Sequence, residues 1–369
     1  MSHWLFAEPV KSDPNKPFVH PGLLHSRDEL AFIKEKLATG EEPWQSAWEA
    51  LQSANEASLT YTAKPFLNVV RGVRNNPNIG SSAMSTDSAA AYAHALQWSL
   101  NGNPSHANKA IEILNAWSAT LESVSGHDAK LLVGMDGVKF CNAAELIRQP
   151  GSKWQEEDQK LFEQMLRDVF YPVIEDFYPT ANGNWDASMI QTMLAMGVYL
   201  DDQAMFDRAV DYFLHGEGNG AIENYFNEFG ECQESGRDQS HVQMGLGFLG
   251  CACEMAWKQG VDLYGAAYNR LALGFEYTAK FNLGDEVRYE PYRSVEGRYH
   301  YPRISERGRG RFRPIYERIV HHYHDRMGLE MPYCRRVSEK IRPEGAHGQH
   351  MAWGTLMFHG LPRAKLNQK

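Results

Sequence analysis

Segments of helical length with one apolar face follow one another along most of the chain, and this repetition limits the possible folds most. In "HSRDELAFIKEKLATG", Ser26 and Glu29 form a capping-box pattern, and Gly40 ends the segment after an apolar stripe at helical spacing. Many similar segments end in Asn, Asp or Gly and are followed at once by another. The apolar–polar alternation of strands is nearly absent. We therefore predict an all-α chain in which successive helices pair as antiparallel hairpins.

The helical segments show no fixed sequence period, which argues against a regular solenoid and favours a closed ring of helical hairpins. A length of 369 residues is enough for one large domain with a sizeable core. Residues 1–22 are rich in proline and are expected to be extended, and residues 23–369 are expected to form the helical domain. Five cysteines match no zinc or redox spacing, so we predict buried free thiols.

The charge of the chain excludes two classes of partner. A net charge of −9 provides no positive field for nucleic acid or an anionic membrane, and no apolar run reaches the length of a membrane span. Positive charge is instead local: residues 288–318 contain nine arginines and no lysine. Arginine favours planar, bidentate recognition of carboxylate or phosphate, although surface ion pairs are the alternative. Aromatic residues at 12% could stack on sugar rings or simply fill the core.

The segment "ESGRDQSHVQMGLGFLG" (234–250) places Arg237 and His241 one helical turn apart, just before Gly245, Gly247 and Gly250. Glycine inside a helix costs about 1 kcal/mol relative to alanine, so three glycines in six positions suggest a close approach to the backbone. A neighbouring helix or a ligand could make that approach. A capping or core histidine is the alternative for His241, but the adjacent arginine favours a position facing a substrate cleft.

Two further segments carry candidate functional groups. In "GNWDAS", Asn184 could donate its amide to a ligand carboxylate and Trp185 could form a sugar platform; a plain N-cap is the alternative. In "EPYRSVEGRYHYPR", tyrosines alternate with arginines. Nearby cations favour the phenolate, so a tyrosine here is expected to have a pKa below its usual value of about 10.

These segments, in this order on a helical chain that opens "HPGLLHSRDELAFIKEKL", resemble the bacterial polysaccharide lyases of the α/α-toroid group. The resemblance is greatest to polysaccharide lyase family 38, whose members act on glucuronan and alginate, and it spans roughly residues 20–353. It implies a single-domain (α/α) toroid, an incomplete barrel of six to seven helical hairpins. It also implies an acidic polysaccharide substrate and a periplasmic or secreted location, although no signal peptide is visible. We assign no metal and no cofactor.

The resemblance also implies roles in β-elimination, which requires neutralisation of the uronate carboxylate, a base for the C5 proton and an acid for O4. Asn184 and an arginine (Arg293 first, Arg237 second) match the neutralising positions. Tyr299 is expected to act as base and acid, with His241 as the base for the opposite C5 configuration or as a carboxylate partner. The remaining substrate-binding candidates are Trp185, Gln239, Tyr301, Arg303 and Asn142, and Tyr301 could exchange roles with Tyr299.

Two other interpretations stay open at this point. A helical-toroid glycoside hydrolase would use paired carboxylates drawn from Asp186, Glu228, Glu231, Glu234 and Asp238, but neutral glycans would leave the arginine-rich segment unexplained. A non-catalytic glycan-binding protein would need the aromatics and arginines but not Tyr299. The preferred uronate, endo or exo cleavage and the oligomeric state are not determined by the sequence.

Overall fold

The predicted helices form in the computed structural model, which describes residues 16–363. Residues 1–15 of the predicted extended segment and residues 364–369 of the predicted domain lie outside this range. The α-helices are α1 (Arg27–Thr39), α2 (Trp44–Ser53), α3 (Ser81–Asn101), α4 (Pro104–Ser118), α5 (Ala129–Ile147), α6 (Glu156–Met165), α7 (Tyr171–Ile174), α8 (Gly183–Tyr199), α9 (Gln203–His215), α10 (Ile222–Tyr225), α11 (Gln239–Lys258), α12 (Ala266–Asn282), α13 (Glu317–Ile319), α14 (Pro332–Ile341) and α15 (Gly354–Phe358). Segments Leu166–Phe170 and Val320–Arg326 are π-helical and continue α6 and α13.

The inner layer of the fold is a row of largely buried helices. Helix α5 packs between α3 and α8, and α8 packs against α11. Nearly every residue of α5 and α8 is buried, as expected for helices enclosed by protein on all sides. Helices α4, α9 and α12 pack outside α3, α8 and α11. The architecture is therefore the predicted single-domain α/α toroid.

The short connections between inner and outer helices set the direction of the inner row. Helix α3 returns through α4 and α8 returns through α9, each after a connection of a few residues. Successive inner helices therefore run in the same direction, and their amino-terminal ends lie at one end of the ring. Asn184 is in the first turn of α8 and His241 is in the first turn of α11, so the fold brings these distant segments to the same end.

A small sheet, which the sequence pattern did not predict, is formed by three strands that come between α2 and α5 in the sequence. Strand β1 (Asn68–Arg71) pairs parallel with β3 (Ser123–Ser125) and antiparallel with β2 (Asn78–Ile79), in the order β2-β1-β3. Val69 faces Val124 in the parallel pair, and both are buried. The strands are two to four residues long, too short for an alternating pattern to be visible in the sequence.

The ring closes where the last helix meets the first ones. Helix α15 packs against α1, α2 and α13. The predicted capping box of α1 is confirmed, with Ser26 and Glu29 each bonding the other's backbone N–H, and Gly40 ends the helix in the left-handed region at φ 67°. All five cysteines are buried free thiols, as predicted. Within residues 16–363, no helix has the length and apolarity required to cross a bilayer.

The glycines of α11 make room for side chains, which supports helix packing and not direct ligand approach. A Cβ at Gly245 would lie 1.9 Å from the Tyr225 hydroxyl oxygen. A Cβ at Gly247 would lie 2.6 Å from His350 Nδ1, and one at Gly250 would lie 3.0 Å from Ile319. The predicted close approach is therefore real, but other parts of the chain make it.

Candidate active site

Asp238 caps the start of α11 and contacts His241 in two ways. Its Oδ1 accepts the backbone N–H of His241 at 2.9 Å, which caps the helix, and its Oδ2 lies 2.7 Å from His241 Nδ1. An aspartate at Nδ1 keeps a hydrogen on that nitrogen and directs Nε2 away from the helix. The His241 side chain is 31% exposed, whereas that of Asp238 is 5% exposed. His241 therefore presents Nε2 to solvent from a fixed position.

Glu234 is completely buried and connects the start of α8 with the segment before α11. Its Oε1 accepts from Arg237 Nη1 at 2.7 Å, and its Oε2 accepts from the Tyr225 hydroxyl at 2.8 Å and from the Asn184 backbone N–H at 3.2 Å. Burial works to lower the pKa of Arg237, but the charge and hydrogen bond of Glu234, together with the charge of Asp238, outweigh it and the pKa is raised. Because Glu234 holds one edge of the guanidinium, Arg237 remains charged, and its side chain is 28% exposed.

The Asn184 side chain lacks a strong hydrogen-bond partner within the described part of the chain. Its Oδ1 is buried without a partner, and its Nδ2 contacts only Met244 Sδ at 3.6 Å. A buried amide left in this condition is unusual unless a ligand completes it. The alternative N-cap role is wrong for Asn184, because Asn182 occupies the cap position of α8. We call Asn184, Arg237 and His241 the donor cluster.

Tyr299 sits on a tight hairpin formed by residues 293–300. Arg293 pairs with His300 across it, and Ser294 binds the Tyr299 backbone twice, through its N–H to the Tyr299 carbonyl (3.0 Å) and through its hydroxyl to the Tyr299 N–H (2.8 Å). The Arg298 guanidinium lies 5.3 Å from the centre of the Tyr299 ring. Arg293, the first choice for carboxylate neutralisation, is exposed on this hairpin, whereas Arg237 lies in the donor cluster.

Tyr301 lies between the hairpin and the donor cluster. Its Cβ packs on Gly236, and its carbonyl accepts from the Tyr289 hydroxyl at 2.7 Å. Burial raises the pKa of Tyr301, and the opposing charge of Arg237 does not reverse this. The expectation of a lowered tyrosine pKa is therefore wrong at Tyr301, where loss of water outweighs the neighbouring cation. Its phenol stays protonated near neutral pH.

Trp185 forms an aromatic wall beside the donor cluster. Its ring meets the edge-to-face neighbours His127 and Tyr178, with ring centres 5.6 and 5.5 Å away. The Tyr178 hydroxyl and the Thr180 carbonyl both bind Arg298. The aromatic residues thus extend the site from the start of α8 towards the Tyr299 hairpin.

Three other candidates have side chains that form no hydrogen bond with the donor cluster among residues 16–363. Gln239 is buried, and its amide is bonded to the carbonyls of Ser235 and Ser305 and to Asn282. Asn142 is buried about 20 Å along α5 from its start, given a rise of 1.5 Å per residue, and its Oδ1 accepts from the Leu24 N–H. Arg303 is exposed on the arginine-rich segment. The structure thus gives Gln239 and Asn142 packing contacts.

Two functional groups were missed as members of the site, namely Glu234 and Asp238, which the sequence offered only as hydrolase carboxylates. The available signal was their spacing: each carboxylate stands three residues before the cation or imidazole that it binds. Asp186, another hydrolase candidate, is buried and accepts from the Tyr178 N–H and the Tyr212 hydroxyl. These carboxylates are therefore occupied by hydrogen bonds within the protein.

The arrangement is suited to hold a substrate carboxylate. An amide without a partner, a guanidinium and an imidazole lie at one end of the ring, and buried carboxylates fix the last two. Donors held in place before the substrate arrives stabilise charge that develops in a transition state, because they need no reorganisation. A tyrosine beside them can exchange a proton with the substrate.

Comparison with known proteins decides the family. The family model described as alginate lyase matches residues 49–288, well over half of the chain. The chain belongs to the alginate lyase family. It is therefore a polysaccharide lyase, and the hydrolase and binding-protein interpretations are set aside. The matched range includes the donor cluster and ends before the Tyr299 hairpin.

Solved alginate lyases share the fold. Alginate lyase A1-III from Sphingomonas species A1 matches with a TM-score of 0.66 at 13% identity, covering 94% of this chain and 98% of that one. A variant of A1-III complexed with a tetrasaccharide matches with a TM-score of 0.67 at 14% identity, covering 95% and 98%. An alginate lyase from Bacteroides ovatus matches with a TM-score of 0.61 at 13% identity, covering 93% and 100%. No curated protein matches the sequence.

Proposed function

We propose that this polysaccharide lyase cleaves alginate by β-elimination and leaves a 4,5-unsaturated uronate at the new end. The family and the solved alginate lyases with the same fold support this substrate. The observation that carries the proposal is the donor cluster, in which Arg237 and His241 are each held by a buried carboxylate. A site for a neutral glycan would have no use for a guanidinium fixed beside an imidazole. Glucuronan remains a second candidate polymer, and a periplasmic or secreted location remains a prediction.

The donor cluster neutralises the carboxylate on C5. The Asn184 side chain rotates so that Nδ2 takes the position now held by the unpartnered Oδ1, and Nδ2 then donates to the substrate carboxylate. Arg237 donates through the guanidinium N–H groups that Glu234 leaves free. His241, with Asp238 on Nδ1, donates through Nε2. Neutralisation makes the C5 hydrogen more acidic, because the negative charge that develops on removing it spreads onto the carboxylate oxygens. Such stabilisation is worth several kcal/mol.

Tyr299 performs the proton transfers. As the phenolate it takes the C5 proton, the electron pair of the C5–H bond forms the C4–C5 double bond, and the C4–O4 bond breaks. The same phenol then returns its proton to the departing O4. A single group can do both only where the C5 hydrogen and O4 lie on the same side of the ring, as in polymannuronate. Burial raises the pKa of Tyr301, so little of its phenol is ionised near neutral pH and available to take the C5 proton.

The test is ultraviolet absorbance of the unsaturated product from polymannuronate, polyguluronate, glucuronan and hyaluronan. Tyr299→Phe should reduce kcat on polymannuronate by roughly 10²- to 10⁴-fold, the usual contribution of acid–base catalysis. Tyr301→Phe is the matched control, because it makes the same change at a tyrosine two positions away. This variant should keep most of the activity. The reverse result would assign the proton transfers to Tyr301 and not to Tyr299. Cleavage confined to polyguluronate would instead assign the base to His241.

A further inference from the structure

Arg313 ends the arginine-rich segment beside the first turns of α11. Its backbone N–H donates to Gln243 Oε1 at 3.0 Å. Its Nη1 donates to His347 Nε2 at 2.8 Å and to Gln349 Oε1 at 2.6 Å. The charge of Asp238 acts on this guanidinium, which places Arg313 within electrostatic reach of the donor cluster.

The partners of Arg313 come from residues 345–350, which reach the ring from the far end of the sequence. Lys139 on α5 anchors them, since its Nζ donates to the Gly348 carbonyl at 2.6 Å and to Asp136 Oδ1 at 2.9 Å. His350 is buried against Gly247 and the ring of Phe248. Gly348 itself is exposed, and a Cβ there would meet no atom within 4 Å. The anchored segment therefore borders open space.

Both side chains that hold Arg313 are uncharged. Gln349 contributes an amide oxygen. His347 is neutral, because burial and then the charges of Arg313 and Lys139 lower its pKa to about 4. A neutral imidazole accepts at one ring nitrogen only, and His347 accepts at Nε2 from Arg313 Nη1. These contacts fix the guanidinium without neutralising it.

In the described part of the chain, Arg313 has no carboxylate partner, a condition that it shares with the more deeply buried Arg318. Among residues 16–363, no carboxylate oxygen lies within the 4.0 Å limit of an ion pair with Arg313. Other partly buried arginines do meet a glutamate, as in the pairs Arg237–Glu234, Arg309–Glu306 and Arg342–Glu317. A partly desolvated cation without an ion-pair contact is costly even when a more distant carboxylate such as Asp238 acts on it, and an anionic ligand would relieve that cost.

We propose that Arg313, held by His347 and Gln349, binds the carboxylate of a second uronate on the same polymer chain, next to the residue whose carboxylate occupies the donor cluster. The planar guanidinium, fixed through Nη1, can offer its remaining N–H groups to a carboxylate. This subsite would make the enzyme recognise two successive acidic residues. The inference rests on the proposed function for the identity of the ligand.

The experiment measures binding of a saturated hexauronate made from alginate, and of the same hexasaccharide with its carboxyls reduced to alcohols, by calorimetry. Tyr299→Phe protein serves as the background so that the ligand stays intact. Arg313→Gln should weaken binding of the acidic hexasaccharide roughly tenfold or more, as expected for a lost hydrogen bond to a charged group, and leave the reduced one unchanged. Arg311→Gln, an exposed arginine two positions away, should change neither.

Two results would overturn the subsite. Unchanged affinity of Arg313→Gln for the acidic hexasaccharide would remove it, and an equal loss for the reduced hexasaccharide would make Arg313 a structural clamp for residues 345–350. If Arg313→Gln fails to fold, Arg313→Lys replaces it, because lysine keeps the positive charge but not the planar guanidinium. Weaker binding of the acidic hexasaccharide alone would then support the subsite, and unchanged binding of it would oppose the subsite. Failure of the proposed function is distinct, since wild-type protein would then release no unsaturated ends although Arg313-dependent binding persisted.

Discussion

Replacing Asp238 with asparagine separates two tasks that one carboxylate now performs. Oδ1 caps α11 through the His241 N–H, and Oδ2 accepts from the His241 ring. Asparagine caps helices about as well as aspartate, so the cap should survive. The negative charge beside the imidazole is lost. Any large effect of Asp238→Asn therefore reports the loss of the negative charge beside His241.

The pKa of Asp238 sets the size of the stability effect. Burial alone would raise this pKa, but the hydrogen bonds and charge of His241, followed by the charge of Arg237, lower it from 3.8 to about 2. The difference corresponds to about 2 kcal/mol, at about 1.4 kcal/mol for each tenfold change. Since the folded-state pKa lies below the unfolded one, this stabilisation is complete above about pH 4 and disappears as the pH falls towards 2.

Urea unfolding at several pH values tests this reasoning. The free energy of unfolding of Asp238→Asn should be about 2 kcal/mol below that of wild type at pH 7, and the gap should narrow as the pH falls from 4 to 2. Equal unfolding free energies at pH 7 would refute the electrostatic argument. Asp202→Asn is a comparison far from the site: Asp202 caps the outer helix α9 by accepting from the Met205 N–H at 3.0 Å and pairs with Arg167 at 3.0 Å, so the variant should lose some stability and keep wild-type activity.

Activity of Asp238→Asn also distinguishes the two possible roles of His241. If His241 donates to the substrate carboxylate, losing its charge-assisted character should lower kcat/KM roughly tenfold, because such bonds are about twice as strong as neutral ones. Absorbance of unsaturated ends measures this directly. A loss of a thousandfold or more would show that His241 is the base, and would contradict the assignment of both proton transfers to Tyr299.

Three further predictions concern packing and pH. Gly245→Ala should destabilise the fold by about 1–3 kcal/mol in urea unfolding, because its Cβ would meet the Tyr225 hydroxyl at 1.9 Å; wild-type stability would contradict this packing. Burial and the charge of a neighbouring glutamate raise the pKa of Glu344 from 4.5 to about 8, so stability should fall as pH rises between these values. Glu344→Gln should therefore be more stable than wild type at pH 9, by roughly 3–5 kcal/mol, and not at pH 4. Burial, and then the charge of His106, lowers the pKa of His94 from 6.5 to about 4. The free energy of unfolding should therefore fall as the pH drops from 6.5 to 4. His94→Gln should reduce this fall by up to about 3 kcal/mol, and a fall equal to that of wild type would contradict the prediction.

The helical ring could be predicted from the sequence because its signals are local. Capping residues, apolar stripes and glycine stops mark helices one at a time, and short connections then dictate antiparallel pairs. The Ser26–Glu29 capping box and the Gly40 stop formed as predicted. The strands escaped prediction because they are too short to show an alternating pattern, and because the parallel pair joins residues more than fifty positions apart, as at Val69 and Val124.

Part of the candidate site was visible in the sequence, and part required the fold. Arg237 and His241 lie on one helical turn, so a sequence pattern can pair them. The partners of Asn184 and Arg313 come from segments fifty and more than thirty residues away, and no local rule links them. The raised pKa of Tyr301 was mispredicted for the same reason, since burial depends on packing that composition does not reveal.

The anchoring of residues 345–350 by Lys139 has a consequence for how the enzyme comes into existence. The Lys139–Gly348 contact spans 209 positions of the chain, and closing so long a loop costs conformational entropy before any contact offsets it. On a ribosome, the inner helices α3, α5, α8 and α11 would all emerge before this segment exists. A nascent chain could therefore hold the donor cluster before Arg313 has its partners, and the proposed second carboxylate site would form only after residues 345–350 are made.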